Sequence, residues 1–390
     1  VGKGSDGRWI RQLRGGFHTR AEAERALLEL RSSIDSGTYV ESSDVTLGAY
    51  LRNDWLPATA PPRVKFDTWK DRRENLEAYV IPRIGEVALQ DLNAAHLNRM
   101  YGELLRSGRT RGTGGLSPTS VRRLHSILRK AFNDGIRWGL LQRNPAVLAD
   151  PPPMKVVQAA RRRGMRTWTE AELRCFLEST KVHYLYPVWL FGASTGLRRS
   201  ELLGLRWTDL NLKRATATVR QTVTQGEDGY RPEEEQKSAL SARTVHIDQR
   251  VVEVLLQHRT DQVRARALLG DGWQDNDLVF PRADGNWWNP PSVTAAFTRA
   301  VAAAGVPRIR LHDLRHTHAS LLLVAGVSPK VVSERLGHSS VAFTLDTYAH
   351  VMPGMQPDAA KLFMDLVLGE VDPPAGEPNG EQSDEREDDA

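Results

Sequence analysis

The chain has 390 residues, 40% hydrophobic and 26% charged, which at roughly 150 residues per domain points to two or three domains, each able to bury a core, and excludes disorder throughout. The formal charge of +5 hides an uneven distribution: residues 369–390 hold nine acids and one arginine, the rest of the chain carries +13, and +10 of that falls between residues 44 and 165, a local excess suited to a polyanion. A single cysteine, Cys175, excludes an internal disulfide framework and a cysteine-rich zinc site, and no apolar run nears the ~18 residues needed to cross a bilayer, so the expectation is a soluble, cytoplasmic protein with no membrane partner.

The opening Val1-Gly2-Lys3-Gly4 lacks the apolar stretch of a signal peptide, and the absence of an initiator Met leaves the expectation that the true start lies upstream. Residues 1–43 read as a short strand around Arg8–Arg14, then a helix from Thr19, whose hydroxyl and Glu22 have capping-box spacing and whose apolar face carries Ala23, Ala26, Leu27 and Leu30. Arg8, Arg11 and Arg14 are candidates for phosphate contact, with an exposed charged hairpin as the equally open alternative.

Residues 44–150 are helical in pattern, with helices expected over 46–56, 66–80, 93–107 and 117–138 and a short piece near 86–92. The helix opening at Ser117-Pro118 carries an apolar stripe of Val121, Leu124, Leu128, Ala131 and Phe132. Arg122, Arg123, Arg129 and Lys130 repeat at seven-residue spacing on another face, with no acid between Val121 and Asn133. A solvated face usually mixes both signs, so phosphate contact is the favoured role. Residues 151–166, a proline run followed by Arg161, Arg162 and Arg163 without periodicity, read as a basic linker able to lie along a phosphate backbone.

Residues 167–368 form the second large unit. A capping box, Thr169 to Glu172, opens a helix, and an apolar helix follows over Tyr186–Ala193. Strands are expected at Ala215–Thr224 and Arg243–Ile247, separated by the polar turn Gly226–Gly229, then helices at 249–268, 291–304, 312–325, 328–336 and 341–350. The expected class is mainly α with small β-sheets (α+β), one small sheet in this domain, and a disordered acidic tail over 369–390.

Nucleotide and metal chemistry find little support. GxxxxGK[ST], HExxH and a GxGxxG after a strand are absent, and His318 lies off the helical face shared by His312 and His316, so neither a metal nor a cofactor is expected. What the domain offers is a dispersed set: Arg198 after the turn Thr195-Gly196-Leu197, His312 and Arg315 three apart, His338 in Leu336-Gly337-His338-Ser339, and Tyr348 in Thr347-Tyr348-Ala349-His350. Guanidinium groups match phosphate oxygens and stay charged, which suits them to the charge of a pentacoordinate phosphodiester transition state. A tyrosine, with a free pKa of ~10, needs a cationic site or a base to attack. Its product ester keeps the phosphodiester bond, so a second hydroxyl can reverse the step without ATP.

In this order and at these spacings the motifs closely resemble those of the tyrosine recombinase (phage integrase) family, and the resemblance spans essentially the whole chain. It implies that Arg198 and Arg315 are the two catalytic arginines, His312 the general acid/base that helps take the tyrosine proton, His338 a hydrogen-bond donor to the phosphate and Tyr348 the nucleophile. It also implies a catalytic lysine on a β-hairpin, matched by Lys237 in Gln236-Lys237-Ser238, although the acidic run Glu233-Glu234-Glu235 beside it departs from the family pattern. Arg199, Glu201, His316 and His318 read as supporting or structural residues. The layout resembles integrases of temperate phages and integrative plasmids: residues 1–43 an arm-type DNA-binding module, 44–150 a core-binding domain, 151–166 a linker, 167–368 the catalytic domain.

The implied function is site-specific recombination of double-stranded DNA at core-type and arm-type sites. It proceeds through a 3′-phosphotyrosine and a Holliday junction, by a homodimer on a core site and a homotetramer in synapsis, in the bacterial cytoplasm at the nucleoid. An excisionase and a DNA-bending host factor are implied partners, and residues 359–368 are expected to pack on a neighbouring protomer, with packing on their own domain as the equally open alternative. The alternatives are a Xer-like dimer resolvase, a type IB topoisomerase-like enzyme and a DNA-binding regulator without catalysis.

Overall fold

The computed structural model describes residues 16–35, 39–110, 112–234, 243–338, 340–348, 363–365 and 367. The expected strand near Arg8–Arg14, Lys237, the acidic tail and nearly all of 359–368 lie outside them. None of the described helices is long and apolar enough to cross a membrane.

Helix α1 (Arg20–Asp35) starts as the sequence indicates, the Glu22 amide donating to Thr19 Oγ1 at 3.2 Å and the His18 amide donating to Glu22 Oε2 at 2.9 Å. Its apolar face finds little cover, since Leu27 and Leu28 are exposed. The helical domain follows. α2 (47–58) and α3 (66–84) each contain a π-helical turn, at Tyr50–Trp55 and Leu76–Val80. α4 (Ala94–Ser107) and α5 (Pro118–Arg137) complete it. Ser117 caps α5 by accepting from the Ser120 amide, and Pro118 at the first position needs no partner for a missing N–H. The stripe from Val121 to Phe132 is buried with Leu51, Trp55, Leu76 and Leu104 in one core.

The segment 151–166 departs from the extended linker expected. It forms helix α6 (Met154–Gly164) after Pro153, packed on α5 through buried Val157. The residues Met, Lys, Gln, Ala and Arg are good helix formers, and one anchored apolar side chain suffices where a neighbouring helix supplies the packing. A lone anchor leaves no periodicity to read.

The second large domain opens with α7 (Glu170–Ser179), capped by the reciprocal Thr169–Glu172 box, then α8 (Tyr186–Thr195) and α9 (Arg199–Gly204). Its core is rich in aromatic rings, with Phe176 and Phe297 meeting Trp168, Trp189 and each other in tilted or edge-on pairs, centroids 4.9–6.1 Å apart. The single sheet expected is two. Strands β1 (Leu210–Asn211), β2 (Thr216–Thr218) and β5 (Thr244–His246) form an antiparallel sheet in the order β1-β2-β5, while β3 (Gln221–Gly226) and β4 (Gly229–Glu234) form a separate hairpin closed at Gly226–Gly229. The run Ala215–Thr224 therefore divides between sheets. β4 escapes a sequence reading because it contains Pro232, which a strand tolerates where no further strand needs its N–H, as in this two-stranded hairpin.

α10 (Gln249–Leu269), α11 (Pro290–Ala303), α12 (Asp313–Val324), α13 (Pro329–Leu336) and α14 (Val341–Tyr348) follow close to their expected limits. Ala319, Leu323, Val332, Leu336 and Tyr348 make a small core of their own. The helical domain and the second large domain touch where Lys65 Nζ meets Glu233 Oε2 at 2.6 Å and Asp67 accepts from the Gln225 amide at 3.3 Å.

Candidate active site

The site is built where helix ends converge. α8 stops at Gly196, in the left-handed region at φ 67°; a Cβ there would fall 2.5 Å from Leu336 Cδ2 and 2.8 Å from His318 Cδ2, so only glycine allows the turn and the close approach. The turn delivers Arg198 to the N-cap of α9. Its amide donates to Glu201 Oε2 at 2.8 Å, Nη1 donates to Oε1 at 2.6 Å, and Nη2 donates to the Gly337 carbonyl at 3.0 Å. The side chain stays 40% exposed, so the guanidinium is anchored from behind and open in front.

Glu201, 1% exposed, is also gripped by Arg243, whose Nη1 and Nη2 donate at 3.1 and 2.8 Å while Nε donates to the Arg335 carbonyl. Burial alone would raise the Glu201 carboxyl; the hydrogen bonds and charge of Arg243, with the charge of Arg198, hold it below the usual range. Arg243 was missed in the sequence. A lone arginine before a short strand carries no local mark of a partner 42 residues away.

Arg315, on α12, is buried and donates from Nη1 to the Gly196 carbonyl and from Nη2 to the Leu336 carbonyl, both at 2.8 Å. Burial, then the charge of Arg198, lowers its pKa to about 10, leaving it a cation at neutral pH. His312 stands at the N-cap position of α12 without a side-chain capping bond and is the exposed member of the set; the burial it does have, then the charge of Arg315, lowers its pKa. His338 follows Gly337, the left-handed cap of α13, and its Nδ1 lies 2.7 Å from Thr344 Oγ1. Burial, then the charges of Arg315 and Arg198, lowers it to about 3, so the ring is neutral.

Tyr348, at the end of α14, is 0% exposed. Its hydroxyl lies 2.7 Å from Nδ1 of His316, and burial pushes its pKa up to about 12 against the opposing charge of Arg315. His316, read from sequence as support, is thus the imidazole that touches the phenol. His312 packs edge-on behind it, ring centroids 5.1 Å apart. His318 is occupied elsewhere, Nδ1 against the Ala193 carbonyl and Nε2 accepting from Arg335 Nε.

The fold thus brings Arg198, His312, Arg315, His338 and Tyr348 together from four helix ends; Lys237 lies between β4 and β5, outside the described residues. The basic residues expected to meet phosphate divide. Arg122 donates to the Pro152 carbonyl, Arg123 pairs with Asp71 at 2.5 Å, Lys130 pairs with Asp134 at 2.6 Å, and Arg162 donates to the Asp346 carbonyl at 3.2 Å. The acids absent from α5 between Val121 and Asn133 are supplied by α3 and by the next turn. Arg129, Arg161 and Arg163 are exposed, whereas Arg8, Arg11 and Arg14 lie outside the described residues.

Residues 169–354 match the phage integrase family. Among curated relatives, a tyrosine recombinase XerC-like protein of Caldanaerobacter subterraneus subsp. tengcongensis is 29% identical over 94% of this chain and 95% of its own length. An integrase of Saccharopolyspora erythraea is 24% identical over 92% and 91%, and the ICEBs1 integrase of Bacillus subtilis is 29% identical over 65% and 67%. Of solved structures, the Tn1549 transposon integrase in complex with a circular intermediate DNA superposes with a TM-score of 0.64 at 19% identity, over 82% of this chain and 99% of that one. A lambda integrase tetramer bound to a Holliday junction gives 0.54 at 17% identity, over 86% and 89%.

Proposed function

We propose that the chain is a tyrosine recombinase of the phage integrase family, whose model its residues 169–354 match, and that it is a site-specific integrase that cuts and rejoins double-stranded DNA through a 3′-phosphotyrosine and a Holliday junction. The observation that carries this reading is the convergence of two anchored guanidinium groups, three imidazoles and a phenol on one spot, where the buried carboxylates are already paired, Glu201 with Arg198 and Arg243 and Asp313 with Arg310.

Arg198 and Arg315 each give Nη donors to the protein and keep others for the nonbridging oxygens of a phosphodiester, which holds the phosphorus where negative charge develops. Because the carbonyls and Glu201 fix the forks in advance, little reorganisation is left for the reaction. His338 donates from Nε2 when the Thr344 hydroxyl donates to Nδ1, so Thr344 sets the tautomer the phosphate needs. His312, at the exposed lip, is placed to exchange protons at the site's entrance. Tyr348 attacks phosphorus, its ester retains the bond, and the 5′-oxygen departs with a proton that we assign to Lys237, since an alkoxide leaves slowly unprotonated. Tyr348 is sealed from solvent in this structure, so DNA binding must open the site before attack.

For the partners, a lambda integrase dimer on a core site and the tetramer above support a homodimer on each core site and a homotetramer in synapsis. We assign the arm-type contacts to residues 1–43 with Arg8, Arg11 and Arg14, and the core-type contacts to the helical domain, α6 and the catalytic domain, with Arg129, Arg161 and Arg163 free to meet phosphate. Arg122, Arg123, Lys130 and Arg162 join them only by giving up their present partners. An excisionase and a DNA-bending protein are further partners of this reading, which places the protein in the bacterial cytoplasm at the nucleoid. Relatives named as integrases, among them those of a prophage and of Mycobacterium phage L5, favour this reading over a dimer resolvase.

The test is a nicked suicide substrate carrying a core site. The wild-type chain should form a covalent adduct resistant to denaturation, Tyr348→Phe should bind the site and form none, and adduct surviving in that variant would move the nucleophile elsewhere. Joining of two DNA sites, rather than relaxation of one, separates the integrase from a topoisomerase.

A further inference from the structure

We infer that His316, the residue after the second catalytic arginine, is the base that accepts the phenolic proton of Tyr348 when it attacks DNA, an inference that rests on the integrase reading above. Tyr348 belongs to a small buried cluster with the apolar Ala319, Leu323, Val332 and Leu336, and the rings of His316 and His338 lie against its own, centroids 5.7 and 6.5 Å away. His316 Nδ1, at 2.7 Å, is the one proton acceptor within hydrogen-bond reach of the hydroxyl among the described residues. His312 makes no hydrogen bond to Tyr348 there; its ring packs against that of His316 instead.

The groups that face His316 are His312, Asp313, Arg315 and Arg310 from α12 and its lead, His338 from the end of α13, and Tyr348 from α14. Burial first, then the neighbouring His312 and the cations Arg315 and Arg310 against Asp313, hold His316 near pH 4, so at neutral pH the ring is unprotonated and its Nδ1 lone pair is available. The phenol is a weak acid at rest, but its acidity rises as Oη bonds to phosphorus, and the arriving phosphate offsets the cationic field on the imidazole. Arg315 and His316 are neighbours on α12, so the hydroxyl held by the imidazole lies beside the guanidinium that holds phosphate; the charge of Arg315 already acts on Tyr348.

The step balances. The Oη–H proton passes to Nδ1, the Oη–P bond forms, and the P–O5′ bond breaks with its electron pair on the 5′-oxygen, which takes a proton from a separate donor, assigned above to Lys237. In the rejoining direction the imidazolium returns the proton to Oη.

The variant that separates base from hook is His316→Asn. The asparagine amide sits where Nδ1 sits, so it keeps a hydrogen bond to the phenol yet cannot take a proton. On the suicide substrate, with thermal melting and site binding matched to wild type, adduct formation should slow by roughly 10²-fold, the usual weight of general-base catalysis. Ring-fluorinated tyrosines installed at position 348 ionise at lower pH. Without a base the rate follows the concentration of phenolate, so fluorination should accelerate His316→Asn about tenfold or more and wild type far less. An equal response of both proteins, or full activity of His316→Asn with ordinary tyrosine, would overturn the inference and leave His316 as a clasp that only stores the phenol. Should His316→Asn fail to fold, the flat response of the wild-type chain to fluorination carries the test alone, a steep response rejecting the base. Absence of adduct in the wild-type chain is a different outcome, and rejects the integrase reading itself.

Discussion

Two buried carboxylates, one in each large domain, solve the same physical problem by different means. Asp134 of α5, 2% exposed, is held by Lys130 and Arg137 from the same helix and by the indole N–H of Trp55 at 2.9 Å. Glu201 is held by Arg198, three residues away, and by Arg243, which arrives from the strand leading to the sheet and is itself 8% exposed. In the first case the cations are half in water and their spacing of three and four residues is set by the helix. In the second, one cation is buried with the acid and the other is pushed forward into the active site. The comparison teaches that a local ion cluster stabilises a helix, whereas one assembled across the fold can aim a side chain at a substrate.

The largest effect that would break this contrast is expected at Arg243. Arg243→Ala leaves a buried carboxylate with Arg198 alone, a change that costs about 3–5 kcal/mol when one partner of a buried pair is removed. Hydrogen exchange of the full chain in urea should show the loss in the catalytic domain and leave the helical domain untouched. In the protein that remains folded, adduct formation should fall as Arg198 is drawn back onto Glu201. Wild-type stability in this variant would mean that Glu201 is better solvated than the structure shows.

A smaller loss, about 1–3 kcal/mol and confined to the helical domain, is expected for Asp134→Asn, which leaves Lys130 and Arg137 in solvent but weakens the partner of the Trp55 indole. Cleavage by preassembled complexes should not change. Acid sharpens the same comparison. Burial would raise the Asp134 carboxyl, yet the hydrogen bonds from Lys130, Trp55 and Arg137 depress it, as those of Arg243 depress Glu201. A carboxyl with a depressed folded pKa contributes stability that is present above its unfolded pKa, ~3.9 for Asp and ~4.3 for Glu, and is lost as the pH falls through the folded value. Below about pH 4 both domains should therefore weaken in the wild-type chain. Asp134→Asn should show a shallower acid loss in the helical domain alone, measured by domain-resolved exchange against pH.

The smallest effect is expected between the domains. The Lys65–Glu233 pair is well exposed on both sides, so Lys65→Ala should change stability by less than about 1 kcal/mol, with any difference vanishing at high salt. A larger loss would show that the domain contact is held by more than solvated charge.

The amino-acid sequence by itself determined what local physics can carry. The cap at Thr19, the capping box at Thr169, the Ser117-Pro118 start of α5 and its apolar stripe are written within one or two helical turns, and the structure keeps them, except that Glu22 returns its bond to the His18 amide rather than to that of Thr19. The glycines before Arg198 and His338 are legible too, because a left-handed turn leaves few other choices. What the tertiary structure decided involves partners distant in sequence. α6 is a helix because α5 covers Val157, and β4 is a strand because among the described residues it pairs with β3 alone, where the missing N–H of Pro232 is tolerated. Arg122, Arg123 and Lys130 look free along α5 and are paired in space. At the candidate site the motifs mark residues that the fold brings together, but not which histidine meets Tyr348. That contact spans 32 residues and exists only because α14 lays Tyr348 into the apolar cleft between α12 and α13, where His316 is the acceptor its buried hydroxyl can reach; hydrogen bonding of a buried polar group is set by what packs around it, and packing is not periodic in sequence.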